Sequence, residues 1–169
     1  MKHAGVDIRH QSRAEDVCEV LTSEDHGIVV SNGNSLSLTP SCTLEEAGTG
    51  LQALLGRADQ FRFLIGDIYN AMSQRWGVDS SQYLDEWAET TLVSYGWVAS
   101  KIPAELRDMD IPWRWWRDMS SLPLSAITDV LASVTTGSEK DYRSFLEAVS
   151  LAKGKLPREP QLSIRERCE

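Results

Sequence analysis

Apolar positions in residues 27–40 alternate with a period of two. Ile28-Val29-Val30 and the alternating Leu36-Ser37-Leu38 flank the pair Asn32-Gly33. An Asn-Gly pair between two apolar strands predicts a β-hairpin over 28–38, because both turn residues tolerate positive φ. Two strands are not stable alone in water, so we expect this hairpin to lie against helices.

From Thr43 onward the apolar period becomes helical. Thr43-Leu-Glu-Glu46 has the form of a capping box. The apolar side chains that follow predict one long helix from about Gly50 to Arg75, within which Gly66 predicts a close approach of a second helix. Boundaries at Gly77 and at the prolines predict further helices over 79–84, 88–102, 104–109, 112–120, 124–135 and 138–153. The predicted fold is mainly α, with a small N-terminal β-hairpin.

The polarity of the two ends predicts how the chain is divided. Residues 1–26 are polar and acidic, and we expect a partly disordered arm there. Residues 27–153 form the predicted helical domain. Residues 154–169 contain Pro157 and Pro160 and are expected to form an extended basic tail.

The spacing within 79–102 fits two short helices joined by a tight turn, which is typical of a helix-turn-helix. In the second helix, at about 100° per residue, one side collects the residues expected to be buried: Leu92, Tyr95, Gly96, Ala99 and Ile102. The opposite side carries Thr90, Ser94, Trp97 and Lys101. In a DNA-binding interpretation, Thr90, Thr91 and Ser94 contact bases and Lys101 contacts a phosphate. The alternative is that 79–102 is merely a pair of packed helices.

A tryptophan-rich segment follows, Ile111-Pro-Trp-Arg-Trp-Trp-Arg117. One interpretation is a core or interface helix whose arginines cover its rim. A second makes Arg107, Arg114 and Arg117 contacts to the DNA backbone. A third is a stacking platform for single-stranded nucleic acid, because aromatic residues alternate with arginine.

Charge and composition limit the function classes. The formal net charge is −8, with 25% charged and 41% hydrophobic residues, and residues 1–50 hold three Lys/Arg against eight Asp/Glu. No apolar run approaches the roughly 20 residues that span a bilayer, and an acidic N-terminal segment is unlike a secretory signal. We therefore expect a cytoplasmic protein that associates with the nucleoid when it is bound to DNA. Three widely spaced cysteines, and three histidines confined to the polar N-terminal segment, predict no metal site and no cofactor.

Three segments resemble the LmbU-like regulators of actinobacterial antibiotic clusters and similar helix-turn-helix proteins of phages. The family pattern W-L-G-D is similar to Phe63-Leu-Ile-Gly-Asp67. The pattern T-L-R-N-Y-A-W-V-A-R-R-F-P is similar to Thr91-Leu-Val-Ser-Tyr-Gly-Trp-Val-Ala-Ser-Lys-Ile-Pro103. The pattern L-S-W-S-H-H-x-E-V-A-x-L-P is similar to Ile111-Pro-Trp-Arg-Trp-Trp-Arg-Asp-Met-Ser-Ser-Leu-Pro123. Order and approximate spacing are kept from about Leu38 to Leu131, and the resemblance implies a helix-turn-helix regulator. Here, Val93 and Ser100 replace basic residues of the family pattern.

Two function classes follow from these observations. The first is a sequence-specific regulator of transcription that binds double-stranded DNA as a homodimer, because one such helix contacts only a half-site. The second is an acidic protein–protein adaptor or inhibitor, of the kind phages encode, whose partner binds at Trp113–Trp116. We do not expect an enzyme, because the sequence has neither a phosphate-binding glycine loop nor a nucleophile elbow. Asp67, Asp79 and Asp85 are expected to be helix caps and surface charges.

Overall fold

A computed structural model describes residues 21, 27–77, 89–108, 110–135 and 142–155. The chain divides into two compact units, residues 1–120 and 121–169. The boundary falls inside the segment 27–153, for which the sequence predicts a single domain. The described part is mainly helical with a two-stranded antiparallel hairpin, as the sequence predicts.

The hairpin consists of β1 (Ile28–Ser31) and β2 (Ser35–Leu38). Asn32 and Gly33 both have positive φ, 54° and 68°, as the Asn-Gly signal predicts. Alternate side chains of the two strands face the first unit's core. Val30 of β1 and Leu36 of β2 lie opposite each other and both face this core. The hairpin therefore lies against the helices on its apolar face.

The first helix, α1 (Leu44–Leu55), begins at the predicted capping box. The Thr43 hydroxyl accepts a hydrogen bond from the Glu46 backbone N–H at 3.2 Å, and the Glu46 carboxylate accepts one from the Thr43 N–H at 2.7 Å. These two bonds satisfy amides that no helical carbonyl reaches.

The prediction of one helix from Gly50 to Arg75 is wrong, because the chain turns at residues 56–61. A second helix, α2 (Arg62–Trp76), follows the turn. Gly56 has low helix preference, and folding α2 back onto α1 buries the apolar side chains of both helices. The buried cluster that results contains Leu51 and Leu54 from α1 with Ile65 and Ile68 from α2.

Helix α3 (Glu89–Lys101) crosses α2 at two glycines. A Cβ atom at Gly66 would collide with the backbone carbonyl of Tyr95 and lie 2.8 Å from the Ala99 Cβ. A Cβ atom at Gly96 would lie 2.5 Å from the Asn70 Oδ1. The close approach predicted at Gly66 is confirmed, and Gly96 is its counterpart on α3.

The chain after α3 forms a 3₁₀ turn, Ala104–Leu106, where a helix over 104–109 was predicted. The prediction is wrong because Arg107 is extended, with φ −72° and ψ 103°, and its carbonyl accepts a hydrogen bond from the Asn34 side chain instead of continuing a helix. Helix α4 (Trp113–Met119) then matches the predicted tryptophan-rich helix. The first helix of the predicted motif, 79–84, lies outside the described residues.

The second unit contains α5 (Leu124–Thr135) and α6 (Tyr142–Lys155). Both helices agree with the predicted positions within a few residues. Their buried side chains are Ile127, Val130, Phe145 and Val149. Of the predicted N-terminal arm only Leu21 is described, and it is buried in the first unit's core; the predicted tail beyond Lys155 also lies outside the described residues.

None of the helices in the described ranges has the length and apolar character needed to cross a membrane.

Candidate nucleic-acid interface

Helix α3 has one buried and one exposed face, as its sequence periodicity predicts. Leu92, Gly96, Ala99 and Ile102 are buried, and Tyr95 is partly buried. These residues turn toward α2, whose Asn70 side-chain amide donates a 2.8 Å hydrogen bond to the Gly96 carbonyl. The packing therefore fixes which side of α3 faces outward.

The outward face carries most of the residues that the DNA-binding interpretation selected. Thr90 and Lys101 are exposed, while Thr91 and Ser94 are partly exposed. Trp97 is 53% exposed, and the Lys101 Nζ lies 4.5 Å from the centroid of its ring. Among the described residues, no carboxylate forms an ion pair with Lys101.

Arg107 does not belong to this exposed set. We expected it to hold a DNA phosphate, but it is only 7% exposed. Its Nη1 lies 2.6 Å from the Asp67 Oδ2, and its Nη2 lies 2.9 Å from the Asp67 Oδ1. The expectation for Arg107 is wrong because a carboxylate inside the first unit already occupies the guanidinium. Asp67 is correspondingly an internal partner, not the cap or surface charge that we expected.

All five N–H donors of Arg107 are used. Besides the two bonds to Asp67, Nη2 donates to the Ala99 carbonyl at 2.8 Å and Nε donates to the Ile102 carbonyl at 3.0 Å. Nη1 also donates to the Asn34 carbonyl at 2.9 Å. Two of the acceptors lie in the last turn of α3 or just beyond it, where carbonyls lack helical partners and a cation is favourable. Arg107 therefore caps α3 and ties it to α2 and to the hairpin turn.

The hairpin turn contributes to the same network. The Asn34 side-chain amide donates to the carbonyls of Ala104 and Arg107 at 3.0 and 3.1 Å. The Asp67 Oδ2 also accepts a 2.9 Å hydrogen bond from the Leu36 N–H in β2. The end of α3 is thus held by two elements that are distant in sequence, so its outward face has a defined position.

The tryptophan-rich helix is divided between core and surface. Trp115 and Trp116 are 2% and 1% exposed, so the first interpretation, a core helix with arginines on its rim, describes α4 best. Trp113 is partly exposed, and its ring packs edge-to-face on Tyr95 of α3 with centroids 5.2 Å apart. The expected protein-binding surface at Trp113–Trp116 is wrong for Trp115 and Trp116, because both rings are already buried.

Arg114 and Arg117 are exposed on α4. Acidic groups also lie near the candidate face, since Glu89 opens α3 and Glu105 follows it, and both are exposed. Glu89 is favourable at a helix N-terminus but would repel a phosphate placed there. The positive charge available to a nucleic acid is therefore greatest toward the Lys101 end of α3.

Sequence reasoning missed the pairing of Arg107 with Asp67. The signal was present in the Gly66-Asp67 pair that carries part of the family resemblance. In the structure, Asp67 directly follows the glycine at the helix crossing and lies beside the end of α3. Periodicity does not reveal such a partner, because the two residues are 40 positions apart.

Comparisons with protein-family models, with curated proteins and with solved structures find no match. The resemblance to LmbU-like regulators therefore stays a prediction from the three sequence segments. Among the described residues, no group of three or more histidine, cysteine or acidic side chains is arranged to hold a metal ion.

Proposed function

We propose that this protein binds double-stranded DNA through the outward face of α3 and regulates transcription. The observation that carries the proposal is the orientation of α3. Its inward side is buried against the first unit's core, and its outward side carries Thr90, Ser94 and Lys101. Hydroxyl groups near a helix N-terminus and a cation near its C-terminus suit base edges and a phosphate, respectively.

The rigidity of the helix supports the same proposal. Contacts to bases require side chains whose backbone does not move when the DNA arrives. Arg107 anchors the C-terminal end of α3 through Ala99 and Ile102, and the glycine crossing anchors its middle. Arg114 and Arg117 on α4 then add exposed positive charge in the same unit. The family resemblance implies the same function.

Selection of bound fragments from sheared genomic DNA tests the proposal most directly. We expect enrichment of a short sequence, with symmetric half-sites if the protein acts as a homodimer. Fluorescence anisotropy with the enriched duplex and with a scrambled duplex then measures specificity at two salt concentrations. Absence of enrichment, together with absence of binding to either duplex at low salt, would refute the proposal.

One observation favours the adaptor or inhibitor as a second candidate. Val93 and Trp97 are 48% and 53% exposed and lie one turn apart on α3. Aromatic residues are enriched at protein interfaces, and the net charge of −8 disfavours DNA. In this alternative, the apolar pair on α3 contacts a protein. Sedimentation analysis of wild type and Trp97→Ala tests whether the apolar pair joins two copies of this chain, because a dimer formed through this face is lost in the variant. Such a dimer would cover the face of α3 that DNA needs and would favour the adaptor.

A further inference from the structure

A cleft in the first unit lies between the hairpin turn, the start of α2 and the start of α4. Its volume is about 450 Å³, within the range of roughly 300–1,000 Å³ that is usual for small-molecule sites. It lies apart from the outward face of α3, since none of the residues that line it belongs to that helix. The proposed DNA contacts therefore leave this cleft unexplained.

One wall of the cleft is aromatic. Phe63, Trp113 and Trp116 line it. The Phe63 ring centroid lies 5.1 Å from that of Trp113 and 5.7 Å from that of Trp116, with interplanar angles of 75° and 72°. Edge-to-face contacts of this kind hold the rings in place before any ligand arrives. Phe63 and Trp116 are 2% and 1% exposed, so they hold the partly exposed Trp113 in place, and Trp113 is the ring that a flat apolar group can reach.

The cleft also has a positively charged side chain, Arg62, among its lining residues. Its Nε is buried and has no hydrogen-bond partner among the described residues. Its guanidinium carbon lies 6.0 Å from the centroid of the Trp113 ring. A buried N–H without an acceptor is unfavourable, and a carboxylate is the acceptor that best matches a guanidinium.

The start of α2 favours negative charge at the same place. Phe61 occupies the N-cap position and makes no side-chain capping bond. The Ile65 N–H is the first to bond back to the Phe61 carbonyl, so the amides of Arg62, Phe63 and Leu64 precede the helical ladder. Such amides and the helix dipole attract anions. Asp59 is the only acidic residue among the described residues that line the cleft, and it is exposed, so water screens its charge.

We propose that this cleft binds a small planar aromatic carboxylate. The carboxylate accepts hydrogen bonds from Arg62 and the first amides of α2, and the ring system lies against Trp113, whose ring Phe63 and Trp116 support from behind. A fused pair of six-membered rings fits the volume of the cleft. The inference is independent of DNA binding, because it rests on residues that the α3 proposal does not use.

Isothermal titration calorimetry of the full chain with 2-naphthoate tests this proposal. We expect saturable binding of one molecule per chain, and binding of the neutral 2-naphthamide at least tenfold weaker. Arg62→Gln should weaken naphthoate binding at least tenfold, and Arg62→Lys should have an intermediate effect because it keeps the charge but not the Nε–H. The matched control is Arg57→Gln, since Arg57 is exposed on the same turn and does not line the cleft.

A measurement on wild type guards against misfolding of the variants. Addition of naphthoate should shift the NMR signals of the Arg62 Nε–H and the Trp113 indole N–H. The proposal is overturned if naphthoate does not saturate the protein, if the amide binds as tightly as the acid, or if a folded Arg62→Gln variant binds normally. It is also overturned if naphthoate binds but leaves both wild-type signals in place.

Discussion

Arg107 and Asp67 form a bidentate ion pair at the point where the chain leaving α3 meets α2. Their side chains are 5% and 13% exposed. The pair joins two helices and, through Leu36 and Asn34, the hairpin. A residue that the sequence suggests for DNA contact is instead the one that holds the candidate DNA-binding helix in position.

We expect Arg107→Met to lower the free energy of unfolding of the first unit by about 3–5 kcal/mol, because the Asp67 carboxylate is left buried without its partner. Urea denaturation followed by tryptophan fluorescence measures this change, and all six tryptophans belong to the first unit. Asp67→Asn added to Arg107→Met should restore part of the loss. The exposed Arg57→Met is the control and should change stability by under about 0.5 kcal/mol. A loss as small for Arg107→Met as for the control would contradict this prediction.

The glycines at the α2–α3 crossing should differ in their tolerance of alanine. Gly66→Ala places a methyl group against the backbone of Tyr95, which has no rotamer to change, and should cost about 3 kcal/mol. Gly96→Ala meets the side chains of Asn70 and Tyr69 and should cost less, because a side chain can rotate away, although Asn70 would then lose its hydrogen bond to the Gly96 carbonyl. Gly56→Ala is the matched control, because Gly56 has φ −59° and an added Cβ would lie 3.5 Å from the Ala53 carbonyl oxygen. It should stabilise the protein by about 0.4–1 kcal/mol. Thermal melts that rank the three variants in another order would show that the crossing is looser than described.

The capping box of α1 gives a third prediction. Thr43→Ala removes the acceptor for the Glu46 N–H and should destabilise the first unit by about 1 kcal/mol. Glu46→Gln should retain most of the stability, since an amide oxygen accepts the Thr43 N–H in the same way. Chemical denaturation of both variants tests the box, and equal losses would show that the charge of Glu46 matters more than its hydrogen bond.

The proposed DNA interface predicts a specific salt effect. Lys101→Gln should weaken binding to every duplex and reduce the slope of log K against log salt concentration by about one. Ser94→Ala should instead change the preferred base at one position, with a cost of about 1–3 kcal/mol for the enriched site alone. Lys153→Gln is the control, because Lys153 is an exposed lysine of α6 in the other unit. Identical salt slopes for the Lys101 and Lys153 variants would remove α3 as the docking helix.

Local structure in this protein was predictable wherever hydrogen-bond partners are near in sequence. The Asn32-Gly33 turn, the box at Thr43–Glu46 and the two faces of α3 all depend on residues within a few positions of each other. The break between α1 and α2 was not predictable from the apolar stripe, because the same spacing continues on both sides of the turn at 56–61.

The pattern of residues alone predicted the hairpin, the helical character of the chain and the side of α3 that packs inward, since backbone preference and hydrophobic period are local properties. Which charges and rings remain outside depends on how the helices pack in three dimensions. Arg107 forms an ion pair with Asp67, which lies 40 residues earlier in the chain. Trp116 is buried, whereas Trp97 is exposed. An arginine or a tryptophan suits a core, a rim or a binding face equally well, and the crossing of helices far apart in the chain selects among these roles.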